Sequence, residues 1–525
     1  MRAPFLIRRF TRNTLACAAV LLMSSCAQNP VTGKADFVMV SEEQELRMGR
    51  AYDQQVKKES PIYDHKNRVS ASGADAPAAA TQTGPRSGGP AGQTMDETSL
   101  AAYVEALGQK LAKHSHRAGL EYRFTVLDTP EVNAFALPGG FIYVTRGILS
   151  YLNSEAELAA VLGHEIGHVT ARHSVRQISA EQGASIGLTI ASIFLPGLRN
   201  QAAGNLSNLA TGALLSGYGR DHELEADRLG AEYLARTGYP VDAMTKVIGV
   251  LKNQETFDAQ LAREENRPPR AYHGLFATHP ENDTRLKEVV AEAARVTSAS
   301  SVVTAGDQRD AFLAQMDGIV FADNLSHGVV RDNAFYHAEF GLVMQFARGW
   351  RVLNLPDRLR AIAPGGEATI EVRLDTPLKG APPQDLLKRK AAVDGEIDTT
   401  PVNGLAAAIA NVRGANVRAG SIYLGSGDTA KAFVLTGQTK TAELFKRHVE
   451  AFNTTFKTMR AFTEADRKAA EPLRLRIITA TATTRYAELA KFSPLGRHAE
   501  QQLRLMNAHY PAGEPVAGQK LKVIE

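Results

Sequence analysis

Val161-Leu162-Gly163-His164-Glu165-Ile166-Gly167-His168-Val169-Thr170-Ala171-Arg172-His173 is the stretch on which the reading of this chain turns. Residues four apart share one face of a helix, so His164 and His168 can grip a single metal ion. Glu165 follows the first histidine, and its carboxylate can reach a metal-bound water without ligating the metal. That is the layout for metal-assisted peptide hydrolysis: zinc lowers the pKa of its water toward ~7 and the glutamate takes the proton. Just upstream, Ser154-Glu155-Ala156-Glu157-Leu158-Ala159-Ala160 reads as a helix start, with a capping serine, a glutamate three residues on and then an apolar stripe. The spacing therefore predicts that the motif lies inside a helix.

A catalytic zinc takes a third protein ligand and keeps one position open. The metzincin continuation needs glycine and histidine three and six residues after His168; Ala171 and Ser174 stand there and exclude it. The next candidate is Gly219-Arg220-Asp221-His222-Glu223-Leu224-Glu225-Ala226-Asp227-Arg228-Leu229-Gly230, a second helical stretch carrying E-x-x-x-D. Glu223 and Asp227 share a face, so one can ligate zinc while the other accepts the free N–H of a ligating histidine. Glu225 points elsewhere.

Together these two helices resemble the gluzincin peptidase family that includes the CAAX prenyl protease, the heat-shock membrane protease and the beta-barrel assembly-enhancing protease. The resemblance implies that Glu223 is the third ligand and Asp227 the orienting group. Asn133-Ala134-Phe135-Ala136-Leu137-Pro138-Gly139-Gly140 is similar to the family's edge strand that binds substrate backbone. Thr278-His279-Pro280 with Arg285 is similar to a loop near the metal. It implies His279 as an inhibitory fourth ligand and Arg285 as support for substrate or transition state.

The chain around these motifs reads as an envelope protein. Residues 1–25 combine arginines with an apolar core, a secretory signal. Leu22-Met23-Ser24-Ser25-Cys26 resembles a lipobox, which implies lipidation of Cys26 and, with Ala27 next, the periplasmic face of the outer membrane. An ordinary cleavable signal with an incidental cysteine is the rival. The other cysteine, Cys17, lies in the signal, so no disulfide is expected and metal binding must use nitrogen and oxygen. The longest later apolar run, Gly183 to Leu198, falls short of the ~18 residues of a membrane span and is broken by Gly187, Pro196 and Gly197.

Residues 26–59 read as a turn and a capped lead-in helix, and 60–98 as an Ala/Gly/Ser/Pro-rich flexible insertion. The zinc peptidase domain is expected over 99–296, a small sheet followed by helices; within it, Ile186 to Ser216 reads as small-residue helix packing or a mobile lid. After a joint at Thr297 to Ala305, strands and an amphipathic helix give an α+β domain over 306–465, where His327, His337 and His448 read as structural. Residues 473–525, strand-helix-helix-strand, are similar to LysM, a glycan-binding module, chiefly through Asn507 and Gly518-Gln519. The fold class is thus α+β: a mainly helical gluzincin domain, an α+β domain and a small LysM-like βααβ module.

Sixty basic against fifty-six acidic residues give a net charge of +4, partly from the signal, and nothing suggests nucleic acid. The function expected is a lipid-anchored zinc endopeptidase. By resemblance, its substrates are unfolded, misfolded or stalled envelope proteins, with peptidoglycan or the beta-barrel assembly machinery as further partners. Two alternatives stand beside it: an envelope chaperone with a self-inhibited zinc site, and a peptidoglycan-associated peptide hydrolase.

Overall fold

The computed structural model describes residues 26–33, 35–63, 99–180, 219–264, 306–324, 328–355 and 358–525. The signal, nearly all of the 60–98 insertion, the Gly183 to Leu198 run, the Ile186 to Ser216 segment, His279, Arg285, the Thr297 to Ala305 joint and His327 lie outside them. The fold mixes helices and sheets. The described residues divide between two compact units, one drawn from 1–255, 271–319 and 475–525, the other from 256–270 and 320–474.

In the first unit, Cys26 opens β1 (Cys26–Gln28), which pairs antiparallel with β2 (Ala35–Phe37). Helix α1 (Glu42–Glu59) starts in a capping box: the Ser41 hydroxyl accepts from the Gln44 amide, and the Gln44 side chain accepts from Ser41 N. Helix α2 (Leu100–Ala112) buries Leu100, Val104, Leu107 and Leu111. A three-stranded sheet follows, β3 (Arg123–Leu127), β4 (Ala134–Leu137) and β5 (Phe141–Thr145), in the order β3-β5-β4. β3 runs parallel to β5 and β4 antiparallel to it, so β4 is an edge. The β4–β5 turn needs positive φ at Gly139 (80°) and Gly140 (94°).

Glu45 of α1 is buried and accepts from Arg117 Nη1 at 2.7 Å and Arg172 Nε at 2.8 Å. A Cβ on Gly49 would stand 1.9 Å from the Pro138 carbonyl oxygen, so α1 lies directly on the β4–β5 turn. Short helix α3 (Arg146–Tyr151) then leads into α4 (Glu155–Thr170), which buries every residue from Ala156 to Thr170. Ser154 caps α4 by accepting from Glu157 N at 3.2 Å, while the Glu157 carboxylate takes the Asn153 amide at 2.8 Å. Helix α5 (Arg220–Arg236) packs against α4, and α6 (Asp242–Glu264) follows it. No described helix is long and apolar enough to cross a membrane.

Helix α7 (Arg309–Met316) precedes the second unit. There, short β6 (Val320–Phe321) is followed by β7 (Val329–Arg331), β8 (Ala334–His337) and β9 (Leu342–Gln345), a meander extended by β17 (Arg460–Ala461). The main sheet holds β10 (Arg351–Leu355), β11 (Arg358–Ile362), β12 (Ala368–Asp375), β13 (Val393–Asp398), β14 (Ala407–Val412), β15 (Val417–Leu424) and β16 (Lys431–Thr439). All neighbours are antiparallel, in the order β10-β11-β12-β16-β15-β14-β13.

Alternation along a strand sends successive side chains to opposite faces. Ile409, Ile422, Phe433 and Leu435 meet Phe452 and Phe456 of α9 (Ala442–Lys457) on one face. Ala408, Ala410 and Ala419 meet Leu387 of α8 (Pro383–Lys390) on the other. The sheet is therefore covered on both faces at β14 and β15.

Strand β18 (Leu473–Thr479) pairs antiparallel with the terminal β19 (Lys520–Ile524). Between them lie α10 (Tyr486–Phe492) and α11 (Ala499–Met506). Residues 475–525 belong to the same unit as α4. Lys522 is fully buried and donates from Nζ to the carbonyls of Ser150 (2.9 Å) and Leu152 (2.7 Å) at the end of α3.

In the second unit Arg460 forks onto Asp466 at 2.6 and 2.7 Å, which holds that carboxyl well below the usual carboxylate range. A depressed folded pKa adds stability that is complete above the unfolded value of ~3.9 and drains away as pH falls toward the folded one. Asp466→Asn therefore destabilises the second unit at pH 7, and the gap to wild type closes as pH falls below ~4. Trp350, the one tryptophan, stands 6.2 Å from Phe452 and reads this transition in urea melts.

Candidate metal centre

The motif helix and the acidic helix meet through glycine. A Cβ on Gly167 would lie 2.9 Å from the Ala226 carbonyl oxygen, one on Gly163 3.3 Å from the Gly230 oxygen, and one on Gly230 3.0 Å from His164 N. Backbone touches backbone, so short side chains suffice to bridge the two helices.

His164, His168 and Glu223, all buried, are brought together with donor atoms within 4.8 Å of one another. The two Nε2 atoms lie 3.0 Å apart, and the Glu223 carboxylate oxygens stand 3.6 Å from His164 Nε2 and 3.4 Å from His168 Nε2. Nitrogen and oxygen donors in this number suit zinc, with one position left for water or substrate. Burial pushes the His168 imidazole well below its ordinary pKa, toward the neutral form a metal needs. Asp227 Oδ1 lies 2.8 Å from His164 Nδ1, so the carboxylate can fix the tautomer that leaves Nε2 free for a metal. Glu165 is wholly buried on the same helix.

The far end of α4 is held from several sides. Thr170 Oγ1 lies 2.9 Å from Tyr233 OH of α5, and Arg117 Nη1 donates to Val169 O at 3.2 Å. Arg172 turns the chain with a φ of 54°, after which residues 173–180 are helical. That turn brings in two residues that spacing gave no sign of. His173 Nδ1 lies 2.8 Å from His168 Nδ1, and its Nε2 lies 3.1 Å from Glu225 Oε2. Arg176 Nη1 donates to the same oxygen at 2.9 Å, and the Glu225 carboxyl is pulled down to about 2, foremost by its hydrogen bond with His173. Glu225 does point away from the three donors, as expected, but it points into the surroundings of His168.

Ala134 to Leu137 form β4, with Asn133 before it and Pro138, Gly139 and Gly140 in the turn after it. α4 packs beside this strand. His337 is buried and stacks on Phe340 at 3.9 Å, and His448 reaches Glu367 at 3.0 Å; both belong to the second unit.

Two imidazoles and a carboxylate, presented by two helices in direct backbone contact, form a candidate site for a single metal ion on an H-E-x-x-H motif. Residues 98–293 match the model of Peptidase family M48, a family whose metal is zinc. It is 31% identical over 203 residues to the Beta-barrel assembly-enhancing protease of Escherichia coli (strain K12), a match covering 37% of this chain and 39% of that protein. Similarity to the Mitochondrial metalloendopeptidase OMA1 of Arabidopsis thaliana is 36% over 148 residues, 28% and 29% of the two chains. To the Metalloprotease YcaL of Escherichia coli (strain K12) it is 27% over 191 residues, 36% and 67%. The match thus spans about two-fifths of the first relative and less than a third of the second.

Because the donors depend on helix contact, Gly167→Ala forces α4 and α5 apart at the Ala226 carbonyl. Overpacking of this kind costs about 1–3 kcal/mol. The variant is expected to melt lower than wild type and to bind zinc more weakly, by thermal melting with and without zinc and by chelator competition.

Proposed function

We propose that this chain is a zinc-dependent endopeptidase of the cell envelope that degrades misfolded or stalled envelope proteins. The observation that carries the reading is the convergence of His164, His168 and Glu223 on one point, on the helix that also bears the buried Glu165. Zinc held there supplies Lewis acidity and a water whose pKa falls to ~7. Glu165 takes the proton from the attacking water and hands it to the departing amine, as general base and then acid. Asp227 keeps His164 in one tautomer and one orientation. The substrate lies along β4, the end strand of its sheet among the described residues, as an added strand. Main-chain pairing of that kind selects for extended or unfolded segments over particular side chains.

The envelope setting rests on the signal-like residues 1–25, the lipobox-like approach to Cys26, and similarity to a protease named for beta-barrel assembly. Lipidation at Cys26 would tether the enzyme to the inner face of the outer membrane. Peptidoglycan and the assembly machinery are further partners under this reading, the former through the 473–525 segment.

The test is degradation of an unfolded model protein by wild type and Glu165→Gln, with zinc content measured in both. Wild type is expected to carry one zinc and to cleave. Glu165→Gln should keep the zinc and lose at least ~10²-fold in rate, in line with removal of a general base. Stripping zinc with a chelator should abolish cleavage, and adding zinc back should restore it. Undiminished cleavage by Glu165→Gln, or a wild type that cannot be loaded with zinc, defeats the reading.

A further inference from the structure

The two histidines of the motif are supported unequally. His164 has Asp227 behind its Nδ1 at 2.8 Å. Behind His168 Nδ1 stands another imidazole, that of His173, also at 2.8 Å. An imidazole can accept at one ring nitrogen only if its proton sits on the other. In His173 the other nitrogen, Nε2, faces Glu225 Oε2 at 3.1 Å, a carboxylate that can only accept. Glu225 is fixed in turn by Arg176 Nη1 at 2.9 Å on the same oxygen. His173 is fully buried, and the His222 ring stacks on it at 4.3 Å and 16°. The ring thus has little room to turn over.

We infer that His173 and Glu225 are positioning residues for the metal, a two-step relay in which Glu225 fixes the tautomer of His173 and His173 fixes that of His168. The inference rests on His168 being a metal ligand. The protons then run in one direction: His168 Nδ1–H donates to His173 Nδ1, and His173 Nε2–H donates to Glu225. His168 Nε2 is left with its lone pair toward His164 Nε2 and Glu223, where a metal would be held. Without the relay, His168 can carry its proton on Nε2, the tautomer that cannot bind. Glu225 lies two residues from both Glu223 and Asp227, so one turn of α5 supplies a ligand and the supports of both histidines. Asp227 serves His164 directly, and Glu225 serves His168 at one remove.

The experiment is zinc affinity by chelator competition in the full chain, together with the visible spectrum of the cobalt-substituted protein and melting of the metal-free protein. His173→Leu fills the space without an acceptor, and is expected to weaken zinc binding about 10- to 100-fold, the usual consequence of losing an outer partner of a ligating histidine. His173→Asn places an amide oxygen near the position of Nδ1, and is expected to recover most of that loss and the wild-type cobalt spectrum. Glu225→Ala should weaken binding by a smaller factor than His173→Leu, because His173 is then free to adopt either tautomer.

A merely structural His173 would lower the metal-free melting temperature in both His173 variants without separating them in zinc affinity, and that result overturns the inference. So does a His173→Leu protein that binds zinc as tightly as wild type. Failure of wild type itself to bind zinc defeats the metal-site reading as well, and is told apart from the other two results by the wild-type measurement alone.

Discussion

Everything at the metal centre depends on how closely α4 and α5 approach. Ligand bonds to zinc are only ~2.0–2.2 Å long, and histidine and glutamate side chains are short beside the ordinary 8–10 Å separation of helix axes. Gly163 and Gly167 on one helix and Gly230 on the other remove the Cβ atoms that would hold the pair apart. The same contact places Glu223 and Asp227 within reach of both sides of the His164 ring. It also buries Glu165, Glu223 and Asp227 together, a concentration of carboxylates that costs a great deal unless cationic or hydrogen-bonding partners offset it. A divalent ion supplies much of that offset, so metal binding and stability in this unit are expected to be one equilibrium.

The part of this arrangement that was legible in the sequence is the part that is local. A four-residue spacing on a helix fixes a shared face whatever the rest of the chain does, so His164 with His168, and Glu223 with Asp227, could be paired from their numbers. Convergence of the two pairs needed the family resemblance, because no local rule brings residue 223 to residue 164. His173 and Glu225 escaped because their relation depends on the left-handed turn at Arg172, which breaks the helix just past the motif before residues 173–180 become helical again. Within a single straight helix, His173 would have been carried away from His168. An arginine with φ of 54° is not a position that residue preferences announce. In the second unit, β14 reads Ala-Ala-Ile-Ala-Asn-Val and β13 carries Gly395 between acidic residues. Such compositions hide strands whose alanines are there because α8 packs directly over them.

The lead-in helix carries a second constraint. Glu45 is buried against two arginines that belong to different parts of the unit, Arg117 before the sheet and Arg172 after the motif helix. Arg117 further reaches Val169 O near the end of α4, and Arg172 reaches Val40 O. Removing the carboxylate would leave two guanidinium groups in a space with little water, and breaking a buried pair in that way is far more costly than the pair's net worth. α1 is thereby an integral wall of the unit, lying on the turn that follows the β4 edge, although its sequence showed only a capped helix.

The start of α4 is fixed in a comparable way from the other end of the chain. Lys522 occupies a strand whose pattern gives no hint of a buried ammonium, yet its Nζ satisfies the Ser150 and Leu152 carbonyls where α3 ends. Lysine at a helix C-terminus satisfies orphan carbonyls and meets the negative end of the dipole. Arg309 adds to the same corner by donating to Asn153 O and Lys520 O. Burial pushes the Lys522 ammonium well down and the Glu157 carboxyl up, and the attraction between them opposes both shifts. Glu157 in turn takes the Asn153 amide and gives its own amide to Ser154, the cap from which the motif helix begins. The terminal strand therefore bears on the residues that set the first turn of α4, three turns before His164. Loss of β19 would leave the α3 carbonyls and Glu157 without their buried cation, and would loosen the first turn of the motif helix while its far end stays held by Arg117 and the α5 contact.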